Sequence, residues 1–189
     1  MAVRDITVIG HRALHQPTKK VREVTDEIRT LVADMVDTME AAEGVGLAAN
    51  QVGVRWRVFV YDCPVPDGPN ARGVVINPVL ERLGVPEPLD EEEDGEGCLS
   101  VPGEWFPLAR FPRARVTGTD LDGNEVVVEG DGLLARCLQH ETDHLDGYLY
   151  VDRLTGPWKR VAREAVKDRG WADEGVTRWT PGKVKAEDV

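Results

Sequence analysis

Cysteine is scarce in this 189-residue chain, with three residues at Cys63, Cys98 and Cys137. A low, odd count argues against a disulfide framework and fits a reducing compartment, where a cysteine serves as buried apolar filler or as a metal ligand. No long uncharged apolar run is present, so no membrane span is expected. The opening residues Met1 to Thr7 carry neither an apolar signal core nor an Arg- and Ser-rich transit pattern, which points to the cytoplasm. Basic residues are outnumbered 34 to 23, for a net charge of −11. That balance disfavours binding by counterion release, so no DNA partner is expected. Internal repeats and low-complexity tracts are missing. The small-residue stretch Gly44–Gln51 lacks the Gly-Lys-Ser/Thr of a phosphate loop and follows a predicted helix rather than a strand. Read alone, it is a tight connection into the next strand.

Hydrophobic residues make up 41% of the chain, enough for the core of one domain. Residues 1–170 are expected to form a single catalytic domain and 171–189 a flexible C-terminal tail, since the latter have little periodicity. Residues 1–24 read as extended and irregular, with His11 and His15 as turn or surface residues. Thr25-Asp26 begins a helix. Ile28, Leu31, Val32, Met35, Val36 and Met39 recur at helical spacing, the methionines as core fillers. Gly44 should stop that helix. Residues 57–63 read as a strand, 73–77 and 79–83 as two strands interrupted by Pro78, and 84–95 as an acidic loop. Residues 113–121 and 125–129 form a hairpin about Asp122-Gly123-Asn124. A helix follows over 131–144, with Gly147 as its stop. Pro157 opens a last helix to about Arg169.

That 131–144 helix holds the chemistry. His140-Glu141-Thr142-Asp143-His144 places two imidazoles four residues apart on one helical face, with a glutamate beside the first. Two ligands seldom hold a divalent ion, and catalytic sites commonly use three and leave a position for water. No histidine follows His144. Cys137 lies roughly 7 Å along the axis from a metal set between the histidines, too far for a thiolate to span easily. Cys98, next to Gly97, remains as the third ligand. A zinc-dependent peptidase and a structural metal site are competing readings. The first lacks a downstream third ligand, and the second would normally use four protein ligands.

Three stretches taken together resemble the peptide deformylases: Gly44-Val45-Gly46-Leu47-Ala48-Ala49-Asn50-Gln51, Glu96-Gly97-Cys98-Leu99-Ser100, and Gln139-His140-Glu141-Thr142-Asp143-His144-Leu145. The resemblance spans roughly residues 1–155. It implies an α+β fold with antiparallel sheets packed around a central metal-binding helix, and removal of the formyl group from nascent N-formylmethionyl polypeptides. It implies Cys98, His140 and His144 as ligands of one divalent ion, Fe²⁺ in the cell with Zn²⁺, Ni²⁺ or Co²⁺ as substitutes. Glu141 would be the general base and acid. The Gln51 amide and the Leu99 N–H would donate to the developing oxyanion, at about 3–4 kcal/mol each in a dry site. Val45, Gly46 and Gly97 would offer main-chain hydrogen bonds to an extended substrate. Arg136 and Cys137 would line the methionine pocket, the arginine head reaching water. Arg110 fits a family arginine and would bind substrate, but Trp105 stands where many members have another. The basic stripe of the last helix could dock on ribosomal RNA or be a solvated face. The acidic run at 90–94 reads as a solvated loop.

Overall fold

The computed structural model describes residues 2–66, 68–86, 88–171 and 177–189. In chain order the elements are β1 (Ile6–Thr7), α1 (Asp26–Ala41), β2 (Gly46–Ala48), β3 (Val58–Cys63), β4 (Ala71–Leu83), β5 (Gly95–Cys98) and β6 (Val101–Pro107). They continue with β7 (Arg113–Thr119), β8 (Glu125–Asp131), α2 (Gly132–Leu145), α3 (Tyr150–Arg153), α4 (Gly156–Asp168) and β9 (Arg178–Trp179). Short 3₁₀ turns occupy Arg12–His15 and Ala49–Val52. The chain is α+β. One antiparallel sheet runs β2-β3-β4-β7-β8, and two-stranded sheets pair β5 with β6 and β1 with β9.

Strand β3 shows how the layers form. Successive side chains point to opposite faces of a strand. Val58 and Val60 therefore join the cluster containing Ile28, Leu31, Met35 and Met39 of α1. Phe59, Tyr61 and Cys63 join the other cluster, with Ala135, Cys137 and Leu138 of α2. The sheet thus has α1 on one face and α2 on the other. The methionines of α1 are fully enclosed, as expected of flexible fillers.

Several boundaries differ from the sequence reading. The residue with left-handed backbone after α1 is Glu43 (φ 55°), not Gly44. Gly44 is small for another reason, since a Cβ there would lie 2.9 Å from Leu99 Cδ1. Pro78 does not divide two strands. It sits in a bulge within β4, where the register with β7 shifts between Ile76 and Val79. Asn77 takes the left-handed conformation (φ 54°), and its amide exchanges hydrogen bonds of 2.9 and 2.8 Å with the Val21 backbone. Asparagine tolerates that conformation, and its amide replaces the ladder bonds that the bulge removes.

The largest correction concerns the C-terminus. Trp171 is 1% exposed, and β9 pairs antiparallel with β1, Ile6 opposite Trp179. Large apolar rings supplied at irregular spacing fold this segment onto the core, a signal that periodicity does not carry. The part of the expected tail at 172–176 lies outside the described residues. The β7–β8 hairpin and the last helix match the reading closely. The β7–β8 turn is held by Asp120, whose Oδ1 accepts from the Asp122 and Asn124 N–H groups. The last helix begins with proline in its first turn.

Candidate metal and active site

Helix α2 buries Leu134, Ala135, Leu138 and Leu145 against the sheet, which fixes its rotation and turns His140 and His144 to the other side. Their Nε2 atoms are 3.0 Å apart. Cys98 closes β5 where the pairing with β6 slips between Gly97 and Cys98, and its Sγ lies 3.2 Å from His144 Nε2. The three ligand atoms lie within 4.8 Å of one another. Two imidazoles and a thiolate converging on one point, open to a cleft, fit a three-ligand divalent metal site.

The supporting contacts fit the same purpose. The Ser100 N–H (3.3 Å) and Gln51 Nε2 (3.7 Å) donate to the Cys98 sulfur and fix its position. Burial pushes His144 well below the ordinary histidine pKa, reinforced by positive charge on His140, so His144 is held in its ligating neutral form. Burial opposes a proton on His140 too, but the Cys98 sulfur and Glu96 outweigh it and raise its pKa. A cation at Nε2 supplies the charge those two groups attract.

Glu96 is the residue whose role the sequence reading left unassigned. Its Oε1 contacts His140 Nδ1 at 2.7 Å, the carboxylate–histidine pairing that orients a ligating imidazole. Glu96 in turn holds Arg110 through two bonds of 2.9 and 2.6 Å, and Arg110 reaches Asp143 at 2.6 Å. Burial opposes charge on Glu96, but Arg110 and His140 more than offset it and hold its pKa well below the carboxylate range. Asn50 adds a further brace, its Nδ2 donating to the His144 carbonyl at 2.6 Å.

Arg110 therefore corrects an expectation. It was placed among substrate-binding residues, yet its side chain is 6% exposed and its donors are engaged by Glu96 and Asp143 behind the ligands. Arg136 differs as well. It borders the cleft, but its head does not reach freely into water. It donates to Asp94 Oδ1 and to the carbonyls of Asp94 and Leu108 at 2.7–2.9 Å. The end of the acidic run is thereby tied to α2 rather than merely solvated.

Glu141 is 3% exposed, and its Oε2 has no hydrogen-bond partner among the described residues. Burial is the main cause that pushes its pKa up to about 7, where a carboxylate exchanges protons readily at neutral pH. Cys137 stands outside the ligand cluster. Its Sγ donates to the Val45 carbonyl at 3.5 Å, and contact with Cys63 together with burial keeps it a neutral thiol.

The cleft has a volume of about 460 Å³, with Gly44, Val45 and Gly46 on one wall and Gly95–Cys98 on the other. Gln51, Leu99, Cys137, His140 and Glu141 also border it. Strand β2 is an edge strand. The Asp62 N–H donates to the Val45 carbonyl at 2.9 Å, so Val45 faces β3. The alternation of an antiparallel ladder then turns the N–H and C=O of Gly46 to the open side. A Cβ at Gly46 would overlap the Glu141 carboxylate and lie 2.8 Å from Cys137 Sγ.

The family described as Polypeptide deformylase matches residues 3–160. Peptide deformylase 2 of Corynebacterium efficiens is 54% identical over 184 residues, covering 96% of this chain and 95% of that protein. The peptide deformylase of Mycolicibacterium smegmatis is 54% identical over 192 residues, covering 97% of each. Among solved structures, a peptide deformylase from Synechococcus elongatus in complex with actinonin superposes with a TM-score of 0.76 at 38% identity, covering 92% of this chain and 91% of that one.

Proposed function

From the premise that this chain belongs to the polypeptide deformylase family, we propose the following division of labour among its residues. The protein is a hydrolase that removes the N-formyl group from newly synthesised polypeptides and releases formate. Cys98, His140 and His144 would hold one divalent ion, which when bound would supply Lewis-acid chemistry and lower the pKa of water in the cleft. Glu141 takes a proton from the attacking water as its oxygen bonds to the formyl carbon. Gln51 Nε2 and the Leu99 N–H donate to the oxygen on which negative charge grows. As the C–N bond breaks, Glu141 passes its proton to the departing amine, leaving formate and a free N-terminus. The substrate backbone lies between the open edge of β2, at Gly46, and β5, at Gly97, adding a strand between them. Cys137, the stem of Arg136 and the cleft floor receive the methionine side chain.

The observation that carries this reading is a buried Glu141 carboxylate, its Oε2 without a hydrogen-bond partner among the described residues, beside three converging ligand atoms. Glu141→Ala is expected to retain metal and lose nearly all formate release from formyl-Met-Ala-Ser. Substantial residual turnover overturns the assignment of the base. Cys98→Ser should release metal on dialysis. The same loss from Cys137→Ser instead would show the ligand set to be wrong.

Thiolate and imidazole suit several first-row ions. Iron as the native metal is supported by the reducing setting that free cysteines imply, and metal analysis of protein purified without oxygen tests it. The cytoplasm is the matching location; no described helix is long and apolar enough to cross a membrane. Arg160, Arg163 and Lys167 are exposed along α4, which supports a transient, salt-sensitive contact with the ribosome. Reversing those three charges should abolish co-sedimentation with ribosomes. Truncation is a poorer test because it removes the buried Trp171.

A further inference from the structure

A second cavity, of about 360 Å³, is bordered by Thr142 of α2. Two residues from each of His140 and His144, Thr142 lies on the opposite side of the helix. The cavity is therefore behind α2, away from the metal ligands. Lys20, Arg57 and Arg82 line it, against a single carboxylate, Asp146. Three cations gathered in one cavity run counter to a chain whose net charge is −11.

The three are held differently. Arg57 is fixed, its Nε and Nη2 donating to the Pro78 carbonyl at 3.1 Å and its Nη1 to Asp146 at 2.6 Å. Arg82 is held loosely. It reaches Asp143 at 3.4 Å, a carboxylate already engaged by Arg110 at 2.6 Å and Arg153 at 2.8 Å. One carboxylate cannot neutralise three guanidinium groups. Lys20 is exposed and forms no ion pair among the described residues. Asp146 is taken by Arg57, so Lys20 and Arg82 leave the cavity with positive charge in excess. An oxyanion there gains charge-assisted hydrogen bonds without displacing a well-made ion pair. Val79, 65% exposed, and Leu80 border the same cavity and set an apolar surface beside the cations.

We propose that this cavity is a second ligand site, which takes a small phosphate monoester of the nucleoside monophosphate class. The phosphate, with its paired charge and three acceptor oxygens, sits between Lys20 and Arg82. The organic group lies on Val79 and Leu80. The site stands apart from the deformylation reading, because none of the metal ligands or Glu141 borders it.

The test is calorimetric titration of the metal-loaded protein with AMP, inorganic phosphate and adenosine at low salt. AMP is expected to bind about tenfold more tightly than inorganic phosphate, through the added apolar contact, and adenosine not measurably. Lys20→Glu and Arg82→Gln should each weaken AMP by about tenfold or more, and added salt should weaken it in wild type. Lys20→Glu should leave kcat/KM for formyl-Met-Ala-Ser unchanged. No binding of AMP overturns the inference. So does AMP binding that competes with formyl-Met-Ala-Ser or survives unchanged in both variants, since the anion would then sit at the metal. AMP no tighter than inorganic phosphate overturns the assignment of a monoester.

Discussion

Glu96, Arg110 and Asp143 form a charged chain behind His140, and each link is buried. Glu96→Gln keeps the shape but weakens the pull on the imidazole Nδ1–H. It is expected to reduce metal affinity by about 10–100-fold, measured by competition with a chelator, with little change in melting temperature of the metal-loaded protein. A loss of fold without loss of metal would contradict a positioning role. The histidine pair is legible in the sequence because its spacing is a property of one helix, whereas Cys98, on β5, is reached only by elimination and resemblance. His140 and His144 share a face by periodicity alone, and the rise per residue removes Cys137. Glu96 was quoted beside Cys98 and still went unassigned. Its partners lie 14 and 44 residues away, and no local pattern encodes a contact of that span. Arg110 failed in the opposite way. An arginine near a cleft is equally a substrate anchor or a buried brace, and burial, which decides between them, is invisible in sequence.

The glycines of β2 and β5 carry a similar lesson for the elements that hold the site. Gly44–Gln51 reads alone as a connection, and only the packing of β2 on α2 shows why no side chain fits at Gly46. Gly46→Ala would push a methyl group into the space of the Glu141 carboxylate and the Cys137 thiol. Displacing a proton-transfer group by about 1 Å costs on the order of 10²-fold in rate. The expected result is a drop in kcat of that size with metal content retained, checked by single-turnover formate release and metal analysis. Strands and helices with regular periods, such as α1, the β7–β8 hairpin, α2 and α4, were all legible to within a few residues. The bulge at Pro78 and the pairing of β1 with β9 were not. Two-residue strands carry too little pattern to be seen, and a bulge is decided by the partner strand's register.

The molecule as a whole is stapled near both of its ends. Asp34 of α1 accepts from the Ala2 N–H at 2.8 Å and from Arg4 at 2.9–3.0 Å. Burial alone would raise the Asp34 pKa, but these bonds more than offset it and hold it below the ordinary aspartate value. A folded-state pKa below the unfolded one adds stability that is present above about pH 4, the unfolded value. That stability is lost as pH falls through the folded pKa. Asp34→Asn should therefore lower the melting temperature at pH 7 and narrow the gap between pH 7 and pH 3. An unchanged gap would show that other carboxylates set the acid limb. Near the other end, Trp179 Nε1 donates to the Leu99 carbonyl at 2.9 Å, while the Ile9 N–H donates to the neighbouring Ser100 carbonyl at 2.9 Å. These two bonds hold two consecutive peptide units just after Cys98, those of the Leu99 and Ser100 carbonyls. The order of synthesis then matters. Ile9 leaves the ribosome before any reacting group and Trp179 after all of them, so a growing copy carries its complete set of reacting groups before the last support of the Leu99 loop has been made.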